Sequence, residues 1–210
     1  MIALEYRGYG IYSGSASACE IIKDAHNLYD YLTAVVGWKE NNIILFGRSI
    51  GTGPAVHLAG TREPGSLLLM SAYTSIRAIV NALAGNVAKY FIAERFRNID
   101  FMQYVSCPCF LVHGQRDNLI PYAQSQQLHS ACKGPSSLLI PEEMDHNEFD
   151  FFLDLSQPFY LFLVQCGISV VSVPSLPAHL YFNQALFQLP INYPKTRGMG
   201  FFKKLIRSFL

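Results

Sequence analysis

The sequence predicts an α/β fold, a mostly parallel sheet flanked by helices. Three observations predict it. Short apolar runs of strand character alternate with longer stretches of helical period. Gly, Pro, Asn and Ser cluster at the joints between them. One run, residues 43–46, passes through Gly47-Arg48-Ser49-Ile50-Gly51 directly into an Ala/Val/Leu stretch. That strand–turn–helix order gives the Gly-x-Ser-x-Gly spacing chemical meaning. An abrupt turn leaves Ser49 at the apex. Glycines at 47 and 51 let strand and helix crowd it. The Ile50 amide then opens the helix beside whatever Ser49 attacks, as an oxyanion donor.

Taken in order, residues 2–6 read as an opening strand, broken by Arg7-Gly8-Tyr9-Gly10. Residues 18–36 repeat apolar side chains at helical spacing: Ile21, Ile22, Ala25, Leu28, Leu32 and Val35. The elbow strand and a helix ending near Gly60 follow. Residues 66–71 form the next buried strand, and the loop 71–75 lies at its carboxyl end, where α/β sheets gather ligands. Residues 76–96 have helix-compatible spacing. Residues 109–114 are a strand running into Gln115-Arg116-Asp117-Asn118. A carboxylate there can orient an imidazole or build a turn. His113, inside the strand, reads as a packed histidine. A helix over 122–132 and a last strand over 136–141 lead to Glu142-Glu143-Met144-Asp145-His146. His146 is the candidate base, with Asp145 and Glu142 as rival acids. The chain order Ser49, Asp117, His146 differs from that of trypsin-like and subtilisin-like proteases.

Composition bounds the rest. The 210 residues suffice for one domain with a sizeable core. Half are hydrophobic and 15% charged, which argues for a globular or membrane-associated protein rather than a disordered one. A net charge of +1 carries no field for nucleic acid. The five cysteines form no repeated pair, and Cys107-Pro108-Cys109 lacks the second pair a zinc site needs. No metal or cofactor is expected, and reduced thiols suit a cytoplasmic location.

Tyr6-Arg7-Gly8-Tyr9-Gly10, Ser13-x2-Ala16 and the run from Asn41-Asn42 through Gly47-Arg48-Ser49-Ile50-Gly51-Thr52-Gly53-Pro54 resemble the α/β-hydrolase superfamily. Within it they are similar to the α/β-hydrolase-domain proteins that remove palmitate from membrane-anchored proteins, the seventeenth-type subfamily with a serine aminopeptidase-like domain. The match runs from about residue 3 to about residue 165, and His146-Asn147 followed by an acid extends it. The resemblance implies a serine hydrolase of thioesters or esters. Ser49 is its nucleophile, Asp117 its acid, His146 its base and the Ile50 amide an oxyanion donor. The substrate is an acylated protein or lipid ester. It also implies an incomplete fold lacking the N-terminal strands, because the family's His-Gly strand, with its second oxyanion amide, would precede residue 1. Without that strand, backbone groups would be left unpaired in the middle of the sheet, or the opening strand would instead pair directly with the elbow strand. Tyr9, Tyr12, Tyr73, Phe149, Phe151 and Phe152 are candidates to accommodate an acyl chain or to fill the core. Two alternatives stay open: a non-catalytic relative or fragment acting as a binding protein, and a serine aminopeptidase-like peptidase.

The core assignment ends at residue 166, after a closing helix over 149–166 interrupted near Pro158. Residues 167–210 read as an irregular extension. No Asp, Glu, Lys or Arg occurs from 155 to 194, yet the apolar run 159–173 is too short to span a bilayer. Lys195, Arg197, Lys203, Lys204 and Arg207 interleave with Phe and Leu, the pattern of a basic amphipathic helix making peripheral contact with the cytoplasmic face of a membrane.

Overall fold

The computed structural model describes residues 1–10, 12–14, 16–85 and 93–169. Helix α1 (Ala18–Asp30) starts where Ser17 Oγ accepts the Glu20 amide at 3.2 Å, with the acid three residues after the cap. Ile21, Ala25 and Tyr29 recur every four residues on its buried face. A π-helical turn, Tyr31–Val35, continues it. Then come β1 (Ile44–Arg48), a 3₁₀ turn (Ser49–Gly51), α2 (Thr52–Ala59), β2 (Ser66–Met70) and α3 (Ile76–Ala84). After α4 (Asn98–Met102), β3 (Cys109–Val112), α5 (Ala123–Ala131) and β4 (Ser136–Leu139) complete the alternation. A second π-helical segment, Phe151–Ser156, leads into α6 (Gln157–Gln165).

The four strands form one parallel sheet in the order β1-β2-β3-β4. All five residues of β2 and all four of β3 are buried, as expected where helices cover both faces. On one face Leu67, Leu69 and Leu111 pack with Val56 and Ala59 of α2, Met102 of α4 and Leu128 of α5. On the other, Leu68, Met70, Phe110 and Val112 pack with Met144, Leu155 and Phe162. Strand β1 is only half covered. Ile44 and Phe46 stand opposite Ser66 and Leu68 in register but are 41% and 50% exposed.

The opening stretch departs from expectation. Residues 1–6 form no strand and do not pair with β1. Leu4 instead packs against the cluster of Ala25, Tyr29, Leu32, Ile43 and Leu58. Apolar sequence suits a strand, but ladder partners make one, and here Leu4 joins a side-chain cluster without the segment joining the sheet. The closing helix is interrupted near Pro158 as expected: a π-helical segment gives way to α6 just before it, and Pro158 sits in the first turn of α6. The chain divides into Met1–Ser169 and Val170–Leu210. The expectations for the extension from residue 170 and the basic C-terminal helix lie outside the described residues, as does part of the predicted 76–96 helix. Among the described residues no helix is long and apolar enough to cross a membrane.

Candidate active site

Each polar candidate follows the carboxyl end of a parallel strand, so all face one edge of the sheet. Ser49 comes directly after β1 with φ of +50°. A residue with a β-carbon rarely adopts that left-handed conformation, so Ser49 sits at a strained apex. The crowding is real. A β-carbon on Gly47 would lie 2.6 Å from the Gly51 carbonyl oxygen and 2.8 Å from Thr52 Cα. The apex is braced from below: Thr52 Oγ1 donates to the Ser49 carbonyl at 2.7 Å, and Tyr73 Oη to the Ile50 carbonyl at 3.3 Å. Asn98 Nδ2 donates to both Thr52 Oγ1 and the Tyr73 carbonyl. The Ile50 amide lies in the first turn of the elbow helix, where helical geometry gives an amide no intrahelical acceptor.

His146 lies 98 residues from Arg48 in sequence, yet Arg48 Nη2 donates to its carbonyl at 2.6 Å and to Asn147 Oδ1 at 3.2 Å. The same guanidinium lies 5.7 Å from the centroid of the Phe149 ring. This bridge brings the ring to the elbow: His146 Nε2 is 3.2 Å from Ser49 Oγ, and its Nδ1 is 2.7 Å from Asp117 Oδ2. A carboxylate only accepts, so Nδ1 carries the hydrogen and the Nε2 lone pair faces the serine hydroxyl. Asp117 is 7% exposed and His146 8%. The other oxygen, Asp117 Oδ1, accepts the Leu119 and Ile120 amides at 2.9 and 2.8 Å. One carboxylate thus both builds the turn and orients the imidazole. Burial pushes its pKa up, but hydrogen bonds from His113, His146 and the Ile120 amide outweigh burial and hold it well below the usual carboxylate range.

The rival acids have other occupations. Asp145 Oδ1 accepts the Asn147 and Glu148 amides, both at 2.6 Å, and so shapes the base loop. Glu142 is exposed. Two participants were not anticipated. Arg48 occupies a variable position of the Gly-x-Ser-x-Gly pattern, where nothing local marks it. His113 is fully buried with its Nε2 3.2 Å from Asp117 Oδ2. Its position four residues before a candidate acid was the available signal.

Of the candidate acyl-chain aromatics, Tyr73 is core, while Phe151 and Phe152 are exposed just beyond the base loop. Tyr6 comes near the elbow from the opening segment, its hydroxyl 3.9 Å from where a β-carbon on Gly51 would be. Burial, assisted by Tyr9, pushes that phenol up to about 12. Among the described residues no cluster of three His, Cys, Asp or Glu side chains could hold a metal ion, and the five cysteines are free.

No protein-family model matches the chain. Human α/β hydrolase domain-containing protein 17B is 28% identical over 152 residues, 72% of this chain and 52% of that protein. Mouse α/β hydrolase domain-containing protein 17C is 26% identical over 152 residues, 72% of this chain and 47% of that protein. The chain therefore spans about half the length of the curated relatives it matches. Among solved structures, Est1E from Butyrivibrio proteoclasticus aligns with a TM-score of 0.59 at 16% identity, covering 73% of this chain and 72% of that one. An alpha-beta serine hydrolase homologue from Coxiella burnetii aligns with a TM-score of 0.52 at 16% identity, covering 76% and 65%. The chain carries part of an α/β-hydrolase fold, and its sequence is similar to the α/β hydrolase domain-containing 17 proteins.

Proposed function

We propose that this chain holds the reacting centre of a serine hydrolase of thioesters or esters, with acylated proteins or lipid esters as substrates. The observation that carries this reading is the unbroken series Ser49 Oγ, His146 ring, Asp117 carboxylate at 3.2 and 2.7 Å, with Ser49 in the left-handed conformation of a strand–helix apex. In the proposed reaction Ser49 Oγ attacks the acyl carbonyl as His146 Nε2 takes its proton. Asp117 stabilises the resulting imidazolium without taking a proton itself. The Ile50 amide donates to the oxyanion, a contact of the kind worth about 10²–10³ in rate. His146 returns its proton to the leaving thiol or alcohol. Water then attacks the acyl-enzyme with His146 again as base, and the acid and free Ser49 are released. The exposed Phe151 and Phe152 offer apolar surface beside the base loop for a long acyl chain. The similarity to domain-17 proteins is consistent with that choice.

Reaction with a fluorophosphonate probe tests the proposal. Labelling is expected at Ser49 and is expected to vanish in Ser49→Ala. Folded protein that resists the probe would favour a non-catalytic binding relative, and labelling that survives Ser49→Ala would overturn Ser49 as the nucleophile. Hydrolysis of p-nitrophenyl esters of increasing length should rise with chain length. A preference for free amino-terminal peptide substrates would reassign the centre to peptide hydrolysis.

A further inference from the structure

We infer that His113 is a positioning residue for the Asp117–His146 pair, and that Ser125 selects the tautomer in which it acts. The inference rests on the reading of Ser49, His146 and Asp117 as the reacting set. His113 stands at the end of β3 with no exposure, and so does Ser125 in α5. Its Nε2 faces two acceptors at once, the Ile120 carbonyl at 2.8 Å and Asp117 Oδ2 at 3.2 Å. Two acceptors require a hydrogen between them, so Nε2 is protonated.

Its Nδ1 lies 2.6 Å from Ser125 Oγ. Among the described residues that hydroxyl's other hydrogen-bond partner is the Ala72 carbonyl, at 3.4 Å. The shorter partner takes the hydroxyl hydrogen, so Ser125 donates to Nδ1 and leaves the hydrogen on Nε2. The opposite tautomer would turn a nitrogen lone pair toward a carboxylate and a carbonyl, in a buried place where such repulsion is poorly screened.

The consequence reaches the base. Asp117 Oδ2 is shared by two imidazole N–H groups, one from His146 at 2.7 Å and one from His113 at 3.2 Å. The Ile120 carbonyl, held by His113, belongs to the residue whose amide donates to Asp117 Oδ1. His113 therefore fixes the carboxylate directly and fixes the turn that supplies its other donors. Without it the carboxylate can rotate away from His146, and a misplacement of about 1 Å at a reacting geometry can cost about 10²-fold.

Three variants test this: His113→Leu, His113→Gln and Ser125→Ala. The readouts are the rate of fluorophosphonate labelling of Ser49 per folded molecule and the far-downfield proton resonance of His146 Nδ1–H in chilled solvent. His113→Leu is expected to slow labelling by about 10²-fold and to shift or broaden the resonance. His113→Gln, whose amide can donate from the position of Nε2, recovers most of both. Ser125→Ala, which keeps the ring but frees its tautomer, slows labelling by about 10-fold, a fraction of that misplacement cost. If His113→Leu does not fold, Ser125→Ala decides. Folded variants with unchanged labelling and an unmoved resonance overturn the inference, as does Gln behaving no better than Leu. If the probe never labels wild-type Ser49, the hydrolase reading fails by itself. The resonance then decides this inference: a shift in the variants sustains it, and no shift overturns it.

Discussion

The acid side and the nucleophile side of the site are built to different standards. The loops after β3 and β4 are stitched together by backbone: the Gln115 amide donates to the Pro141 carbonyl and the Arg116 amide to the Met144 carbonyl, both at 3.0 Å. Gly114 presses so closely on the Met144 carbonyl that no side chain fits. Both oxygens of Asp117 are used. The nucleophile side hangs on β1, which pairs only with β2 among the described residues and leaves Ile44 and Phe46 exposed. Arg48, beside Ser49 on this strand, bridges to the His146 loop through its guanidinium. The contacts follow suit, 2.7 Å between acid and base against 3.2 Å between base and nucleophile. The comparison teaches that the Asp117–His146 pair is held by its own loops, while its alignment with Ser49 rests on a strand with one neighbour among the described residues and on the Arg48 bridge.

The largest test of that division is Asp117→Asn. An amide in place of the carboxylate presents an uncharged partner to His146 and leaves its imidazolium unsupported. Loss of ester hydrolysis by about 10⁴-fold is expected. A loss under about 10-fold would mean that the acid side matters less than its construction suggests. Arg48→Met separates the halves. Labelling of Ser49 should slow by up to about 10²-fold through misalignment, with the His146–Asp117 proton resonance unchanged. A changed resonance would break the claim that the acid side is independent of the elbow strand.

Gly47→Ala probes the elbow by packing. Its added methyl meets backbone at Gly51 and Thr52. Such overpacking typically costs about 1–3 kcal/mol, read as a lower urea midpoint. A neutral outcome would show that β1 can slide away from α2, a looser elbow than the distances imply. The smallest effect lies away from the site. His26 Nε2 and His57 Nδ1 pair at 3.0 Å between α1 and α2. Burial lowers both, and the Arg62 charge adds to it. Groups whose folded values are depressed lose stability as protons are taken up. Melting temperature should hold above about pH 6.5 and decline below it, more steeply than in His26→Gln/His57→Gln. An identical decline in the double variant would assign the acid sensitivity elsewhere.

Much of this architecture was legible in residue patterns. The strands β1 to β4 are short apolar runs between turn residues. Ser49, Asp117 and His146 each lie just past such a run, and spacing reveals that. What stayed illegible is partnership across the fold. Residues 2–6 have strand composition, but composition does not say that Leu4 joins the cluster around Tyr29 and Ile43 without entering the sheet. His113 has the burial pattern of any strand-end histidine. Its meaning comes from Ser125 on α5 and Asp117 on a loop, brought together only by the sheet. Arg48 acts on a loop 98 residues away, and no local pattern carries that information.

The backbone of Ser49 has a consequence for how this chain can change over time. Folding alone would prefer glycine at φ of +50°, since glycine occupies that region without a steric cost. The proposed reaction requires a hydroxyl there. On that reading the reacting residue is one the fold would discard, and a chain released from the need to react would be free to relax it.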